Sequence, residues 1–448
     1  MTSWLNRLYG IFWGPPAVAL LVGTGLFLSV RLGFPQVTLL PSALRSLKVP
    51  RVRDGGVTPF QALCTALAAT VGTGNIIGVS GAICLGGPGA IFWMWLCGFV
   101  GMATKFAEVT LARRYRVRSG GEMVGGPMYM IRRGLPRKWH FLAGLYSAFG
   151  VVAAFGVGNA TQVNAVVAGV NDVLASLGRE ESFWGNLTVG LLMAATVGLV
   201  LFGGVRRIGA AAEKLVPVAS VGYVLLCLWV ILRCRRRLPQ AVVSIFTGAF
   251  SPKAVTGGMI GSAFVSLRTG CTRGIFTNEA GMGTASMAYA AARDAHPVEL
   301  GLLGLLEVFA DTIVICTLTA LAVLTGGEAI PYGVDAGGVL PFRVFSGVCG
   351  SWAAGTLTLF LSIFAFATVL GWGLYGARCG QFLFGPGFWN RFVWFQMGGV
   401  LLGSVLRTQT LWLCAEIVNG LMAIPNLIAL IALSPELCGL VREYRGQK

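Results

Sequence analysis

Long apolar runs separated by short polar stretches recur from one end of this 448-residue chain to the other. A helix of roughly 20 apolar residues crosses about 30 Å of hydrocarbon. On that measure the pattern predicts about eleven membrane-spanning helices, near 14–31, 60–83, 88–112, 141–168, 184–202, 212–233, 255–291, 299–325, 351–378, 391–406 and 411–434. The first run has a weak basic flank, and "LSVRLG" offers no small-x-small cleavage site, so it reads as a helix and not as a signal peptide. Residues 34–53 are too mixed to span and are expected at the interface. The fold class expected is an all-α polytopic membrane protein.

Two of the runs are interrupted. "ATVGTGNIIG", 69–78, places Gly72, Thr73, Gly74 and Asn75 at the middle of the second helix. The seventh is too long for one plain span and contains "RTGCTRGIFTNEAGMGTAS". Four further helices follow each interruption, so the chain divides into one helix, then five, then five. The expected divisions are 1–58, 59–238, 239–434 and a cytoplasmic tail at 435–448. Irregular backbone survives at membrane depth only where protein or a water-filled cavity surrounds it. Glycine-interrupted helices at matching places in two halves point to a transporter's binding site. A break frees N–H groups that suit a carboxylate and C=O groups that suit a cation or an ammonium group. Gly72 and Gly74 let the backbone unwind, while Thr73 and Asn75 add the oxygens a hard cation needs.

Composition fits this picture: 55% of residues are hydrophobic, 11% are charged, and the mean hydropathy is +0.76. The net charge of +17 gathers in short loops, which indicates topology and anionic lipid, not nucleic acid. "RRYRVR" at 113–118, Arg132–Arg133 and Arg137–Lys138 favour a cytoplasmic C-terminus and an outside N-terminus, whereas "RCRRR" at 233–237 opposes this. The 11 cysteines lie mostly in apolar segments without C-x-x-C spacing and read as buried small hydrophobes. His140 and His296, the two histidines, are far apart, so no histidine-based metal or catalytic site is expected. Neither a nucleophile beside a base nor a repeated filter motif is seen, which disfavours an enzyme and a channel.

At the first interruption the sequence resembles a known family, the alanine or glycine:cation symporters, also called sodium:alanine symporters. The likeness is carried by residues 59–116, "GGEMVGGPMYMI" at 120–131, "RGIFTNEAGMGTA" at 273–285, "LGWGLYGARC" at 370–379 and "NGLMAIPNLIALIALS" at 419–434. It implies the inverted five-plus-five bundle of the LeuT or amino acid–polyamine–organocation type, preceded by one extra helix. It also implies a symporter that brings a small neutral amino acid, alanine or glycine, through the cell membrane with sodium and no other cofactor. Matched residue by residue, Thr73, Gly74 and Asn75 would hold the amino acid's carboxylate, with Gln162 and Gly274 beside it and Phe276 and Trp372 walling the side-chain pocket. Sodium candidates are Thr70, Gly72, Asn75, Thr277 and Thr368. Gln162 stands out independently, because a buried amide on a spanning helix needs a partner.

Two positions depart from the family pattern. Ala367 stands where a hydroxyl residue is frequent beside Thr368, which removes an oxygen from the second sodium site. Glu416 stands where an aspartate is expected. Proton coupling through Glu279 or Asp311 is therefore the alternative to sodium. Lys105 and Glu108, three apart on one helix, are expected to pair with each other. Arg273, Glu279, Glu307 and Asp311 are ionisable groups in or beside helices seven and eight, suited to an ion-pair network or gate as much as to substrate contact.

Overall fold

Inside a bilayer every backbone N–H and C=O must find its partner within the protein, and this chain meets the demand almost wholly with helices. The structure, a computed structural model, describes residues 4, 9–10, 12–47, 57–176, 178–250, 263–293, 296–406 and 409–446. The first long helix, α1 (Pro15–Arg31), is followed by two short ones at Pro35–Thr38 and Leu40–Ser46, where an interfacial segment is expected; residues 48–53 of that segment lie outside the described ones.

The second span divides as its glycines predict. Helix α2 (Pro59–Thr70) starts in a capping box, with Thr58 and Gln61 exchanging backbone-to-side-chain hydrogen bonds of 3.0 and 3.1 Å. It ends at Thr70, a π-helical turn at Gly74–Gly78 follows, and α3 (Val79–Gly86) leaves at a bend of 52°. Helix α4 (Ala90–Arg114) then runs unbroken to a small hairpin, β1 (Val117–Ser119) and β2 (Glu122–Val124), the one departure from helix among the described elements. After α5 (Pro127–Gly134), α6 (Phe141–Phe155) and α7 (Thr161–Ser176) form a single span with a π-helical turn at Gly156–Ala160. Helices α8 (Phe183–Leu201), α9 (Gly204–Arg233) and α10 (Leu238–Phe250) complete the first part.

The seventh predicted helix is also two. Its start, 255–262, lies outside the described residues; α11 (Ala263–Asn278) stops at Asn278, and α12 (Ser286–Ala290) follows an irregular stretch. Next come α13 (Pro297–Val308), a π-helical stretch at Phe309–Cys316 and α14 (Thr317–Thr325). Helix α15 (Leu340–Cys349), which the sequence pattern does not single out, precedes α16 (Trp352–Phe384), α17 (Phe388–Val405) and α18 (Gln409–Ala432). The expected tail is a helix, α19 (Ser434–Gly446), turned by 60° from α18. It docks on the end of α4: Arg114 Nε lies 3.0 Å from Glu436 Oε1, and the Tyr115 hydroxyl donates to the same carboxylate. Burial, aided by Glu436, pushes the Tyr115 phenol up to about 12.

Among the described residues six helices are long and apolar enough to cross a membrane, or eight if each of two bent pairs is one span. The sequence pattern gives about eleven because it also counts α1, which is shorter, α11, which is interrupted and polar, and α17, whose apolar run is diluted by Asn390, Arg391 and Gln396. Helix α4 is the buried axis, with Ala103, Phe106, Ala107 and Ala112 wholly enclosed between α11 and α13. Leu192, Leu199, Val218 and Leu225 of α8 and α9 face outward, as lipid-facing side chains should.

Candidate functional site

The first break begins where Val71 leaves the helical region for extended backbone. The amide of Gly72 would ordinarily bond to the carbonyl of Ala68; instead it donates to Asn75 Oδ1 at 2.8 Å. Ala68 O is thereby released from its helical role and lies 3.0 Å from Thr368 Oγ1 on α16. Only a glycine allows this approach, since a Cβ at Gly72 would sit 2.9 Å from that hydroxyl. A helix carbonyl and a threonine hydroxyl now converge, the type of hard oxygen that binds alkali cations. Ala367, beside Thr368, is buried among Cys64, Ala68, Ala212 and Val216 and adds no oxygen.

Asn75 links two segments. Its Oδ1 receives Gly72, and its Nδ2 donates to Asp311 Oδ1 at 2.7 Å. Asp311 belongs to the π-helical stretch before α14, and its other oxygen accepts from Thr312 at 2.9 Å. Thr73 Oγ1 donates to Gln162 Oε1 at 3.1 Å, while Gln162 Nε2 reaches Val157 O at 3.3 Å. The buried amide on α7 thus finds its partners in the break and in its own widened turn. Thr70 Oγ1 stays in its helix, 3.3 Å from Ala66 O.

The second break faces the first. Gly74 packs so closely on Thr277 that a Cβ there would lie 3.0 Å from the threonine methyl. Thr277 Oγ1 donates to Gly274 O at 2.9 Å, and Gly274 itself packs against Met94. Beyond Asn278 the chain turns at Glu279, whose φ of 52° is left-handed. Glu279 accepts from the Trp372 indole at 2.9 Å and from Thr284 at 2.5 Å. The amides released at Gly281 and Gly283 both donate to Glu108 Oε1, at 2.8 and 3.0 Å, as does Asn426 Nδ2 at 2.7 Å. Lys105 does not take Glu108 as its partner: its Nζ lies 3.3 Å from Glu307 Oε1, both side chains wholly buried, and Tyr289 Oη donates to the other oxygen at 3.0 Å. The physical reason is that Glu108 already caps the broken backbone, whereas Glu307 on α13 faces the lysine.

Between the breaks lies a cavity of about 390 Å³. Thr73 and Gly74 line it from the first break, Phe276 and Thr277 from the second. Toward its mouth Arg273 lies 3.7 Å from Asp335 and 3.8 Å from Glu416. Phe276 meets Trp13 edge-on at 6.2 Å between ring centres. Asn75 and Gln162 are buried directly behind this lining, whereas Trp372 is not among the lining residues and is turned to Glu279. Sequence reasoning names Arg273, Glu416 and Glu108 without placing them in the substrate site, and it leaves out Asp335. Those three carry the signal of a charge at membrane depth; Asp335, in a loop, carries none.

A helical bundle with two broken helices facing across a cavity is a fold of the LeuT type. Consistent with this, the structure of MhsT in complex with L-phenylalanine has the same fold, with a TM-score of 0.59 and 16% identity over 87% of this chain and 99% of that one. The model of the sodium:alanine symporter family matches residues 1–448, and the chain belongs to that family. It is 43% identical to an uncharacterized transporter of Haemophilus influenzae over 99% of this chain and 96% of that protein. It is 40% identical to the sodium/alanine symporter AgcS of Methanococcus maripaludis over 96% and 94%. The protein is therefore a cation-coupled amino acid symporter of the membrane and not an enzyme.

Proposed function

We propose that this symporter imports a small neutral amino acid, alanine or glycine, together with sodium by alternating access. The observation that carries the reading is the released Ala68 carbonyl opposite Thr368, next to the Thr73–Asn75 stretch that opens on the cavity. In this reading the carboxylate sits at Thr73, Gly74 and Asn75, at the positive start of the half-helix leading into α3. Gln162 holds Thr73 toward it, and Phe276 bounds the side chain. Sodium takes Ala68 O and Thr368 at one place and Asn75, with Thr277, at another. The five-helix repeats comprise 59–238 and 239–434, with the N-terminus outside and the C-terminus in the cytoplasm.

The name of the Methanococcus relative supports sodium and alanine, since nearly the whole of both chains is shared. Proton coupling is the second reading. It is favoured by Ala367 and by the neutral hydrogen-bond partners of Glu279 and Asp311. Uptake of radiolabelled alanine into proteoliposomes, with sodium and proton gradients imposed separately, decides between them. Uptake driven by the sodium gradient at equal pH is expected. Accumulation driven by a pH gradient alone would transfer the coupling to protons, and no uptake of alanine or glycine under either would remove the substrate assignment.

A further inference from the structure

The face that carries the Arg113–Arg118 turn holds a second cavity, of about 460 Å³, which shares no lining residue with the first. Arg116 and Arg118 reach it from the end of α4 and from β1, Arg206 from α9, Arg293 from the segment after α12, and Arg378 from α16. One carboxylate joins them, Glu122 of β2, and its Oε2 already accepts from Arg378 Nη2 at 2.6 Å. Helices and loops distant in sequence thus deliver five arginines and one carboxylate to one concave place, so its charge is predominantly positive and favours an anion. We infer that this cavity binds a phosphate-bearing anion, either the headgroup of an anionic phospholipid or free phosphate. Guanidinium forks match phosphate oxygens two at a time, and basic pockets in transmembrane bundles take lipid headgroups.

The site also spans a joint. Val57, just before α2, forms a parallel bridge with Ala292, and Arg293 N donates to Val57 O at 3.1 Å. Val57 and Arg293 both line the cavity, and Arg116 Nη1 donates to Ala292 O at 3.0 Å. An anion held here fastens the start of the first broken helix to the exit of the second. Resting on the symport reading, this makes the bound anion a restraint on opening the transport path toward this face.

The binding itself is tested without transport. The full chain in neutral detergent is titrated with phosphatidylglycerol, with phosphatidylcholine and with inorganic phosphate while its thermal unfolding midpoint is followed. A saturable rise with phosphatidylglycerol or phosphate, absent with phosphatidylcholine, is expected. A rise with the lipid alone identifies the headgroup as the source, and a rise with phosphate alone identifies the free ion. Arg118→Gln with Arg206→Gln, both exposed positions, should weaken the effective anion roughly tenfold or more. Arg235→Gln with Arg236→Gln, an equal charge change at the other end of α9, should leave it intact. No response to either anion, or equal weakening by the two double variants, overturns the inference. A protein that binds the anion but fails to carry alanine would refute the symport reading and leave this site standing.

Discussion

Asn75 joins an unwound amide at one end to a buried carboxylate at the other, and Gln162 holds Thr73 from the facing helix. Removing either amide leaves the ligand-facing backbone of the break without its support. Asn75→Ala is expected to weaken alanine binding by roughly 10- to 150-fold, the equivalent of about 1.5–3 kcal/mol for a bond to a charged group, and Gln162→Ala by roughly 2- to 10-fold, about 0.5–1.5 kcal/mol for its neutral bond to Thr73. Alanine affinity measured on folded, membrane-inserted variants checks this; wild-type affinity in both would move the site elsewhere. At Ala367 the expected change is a gain. Ala367→Ser places a hydroxyl in the cluster that contains Ala68, beside Thr368, and should raise apparent sodium affinity without altering substrate choice. A sodium titration of uptake at fixed alanine tests it, and superimposable curves would contradict it. These residues were legible in the sequence because an asparagine and a glutamine in apolar runs are conspicuous. Their partners were less so: nothing in the spacing of residues 68 and 368 announces that a carbonyl and a hydroxyl meet.

Helices of this protein are broken where glycine, threonine and asparagine cluster, and the breaks are held open by charges borrowed from other helices. The breaks could be read locally, since each lies within a dozen residues of chain; their supports could not. Lys105 and Glu108 look paired by helix spacing, yet Glu108 caps Gly281 and Gly283 while Lys105 turns to Glu307. Short-range pattern could not rank a partner on the same helix against one on α13. The buried ion pair has a testable signature. Lys105→Met strands Glu307 without its cation and should cost about 3–5 kcal/mol of stability. Adding Glu307→Gln removes the stranded charge while keeping an acceptor for Tyr289, so the double variant should recover most of the loss. Thermal unfolding of the single and double variants measures this. If the second change deepened the loss, the pair would not be acting as a unit.

Across the whole molecule, the transporter class was legible from the apolar runs and the two interruptions, but the shape of the space between them was not. The cavity's mouth depends on Asp335, from a loop with no pattern, meeting Arg273 of α11, which also reaches Glu416 of α18. Its volume of about 390 Å³ is far larger than a methyl side chain needs. Its lining includes Thr73, Gly74 and Phe276 and also Arg273, Asp335 and Glu416. A molecule with alanine's ammonium and carboxylate but a long, stiff side chain would engage Thr73 and Gly74 with its head while its tail stood between Arg273 and its two acidic partners. Such a compound should inhibit alanine uptake competitively and yet fail to accumulate inside vesicles itself, a difference that parallel inhibition and counterflow assays would reveal. The same opening that admits the cargo would then serve as a wedge point, and the transporter could be jammed by an analogue that it recognises and cannot swallow.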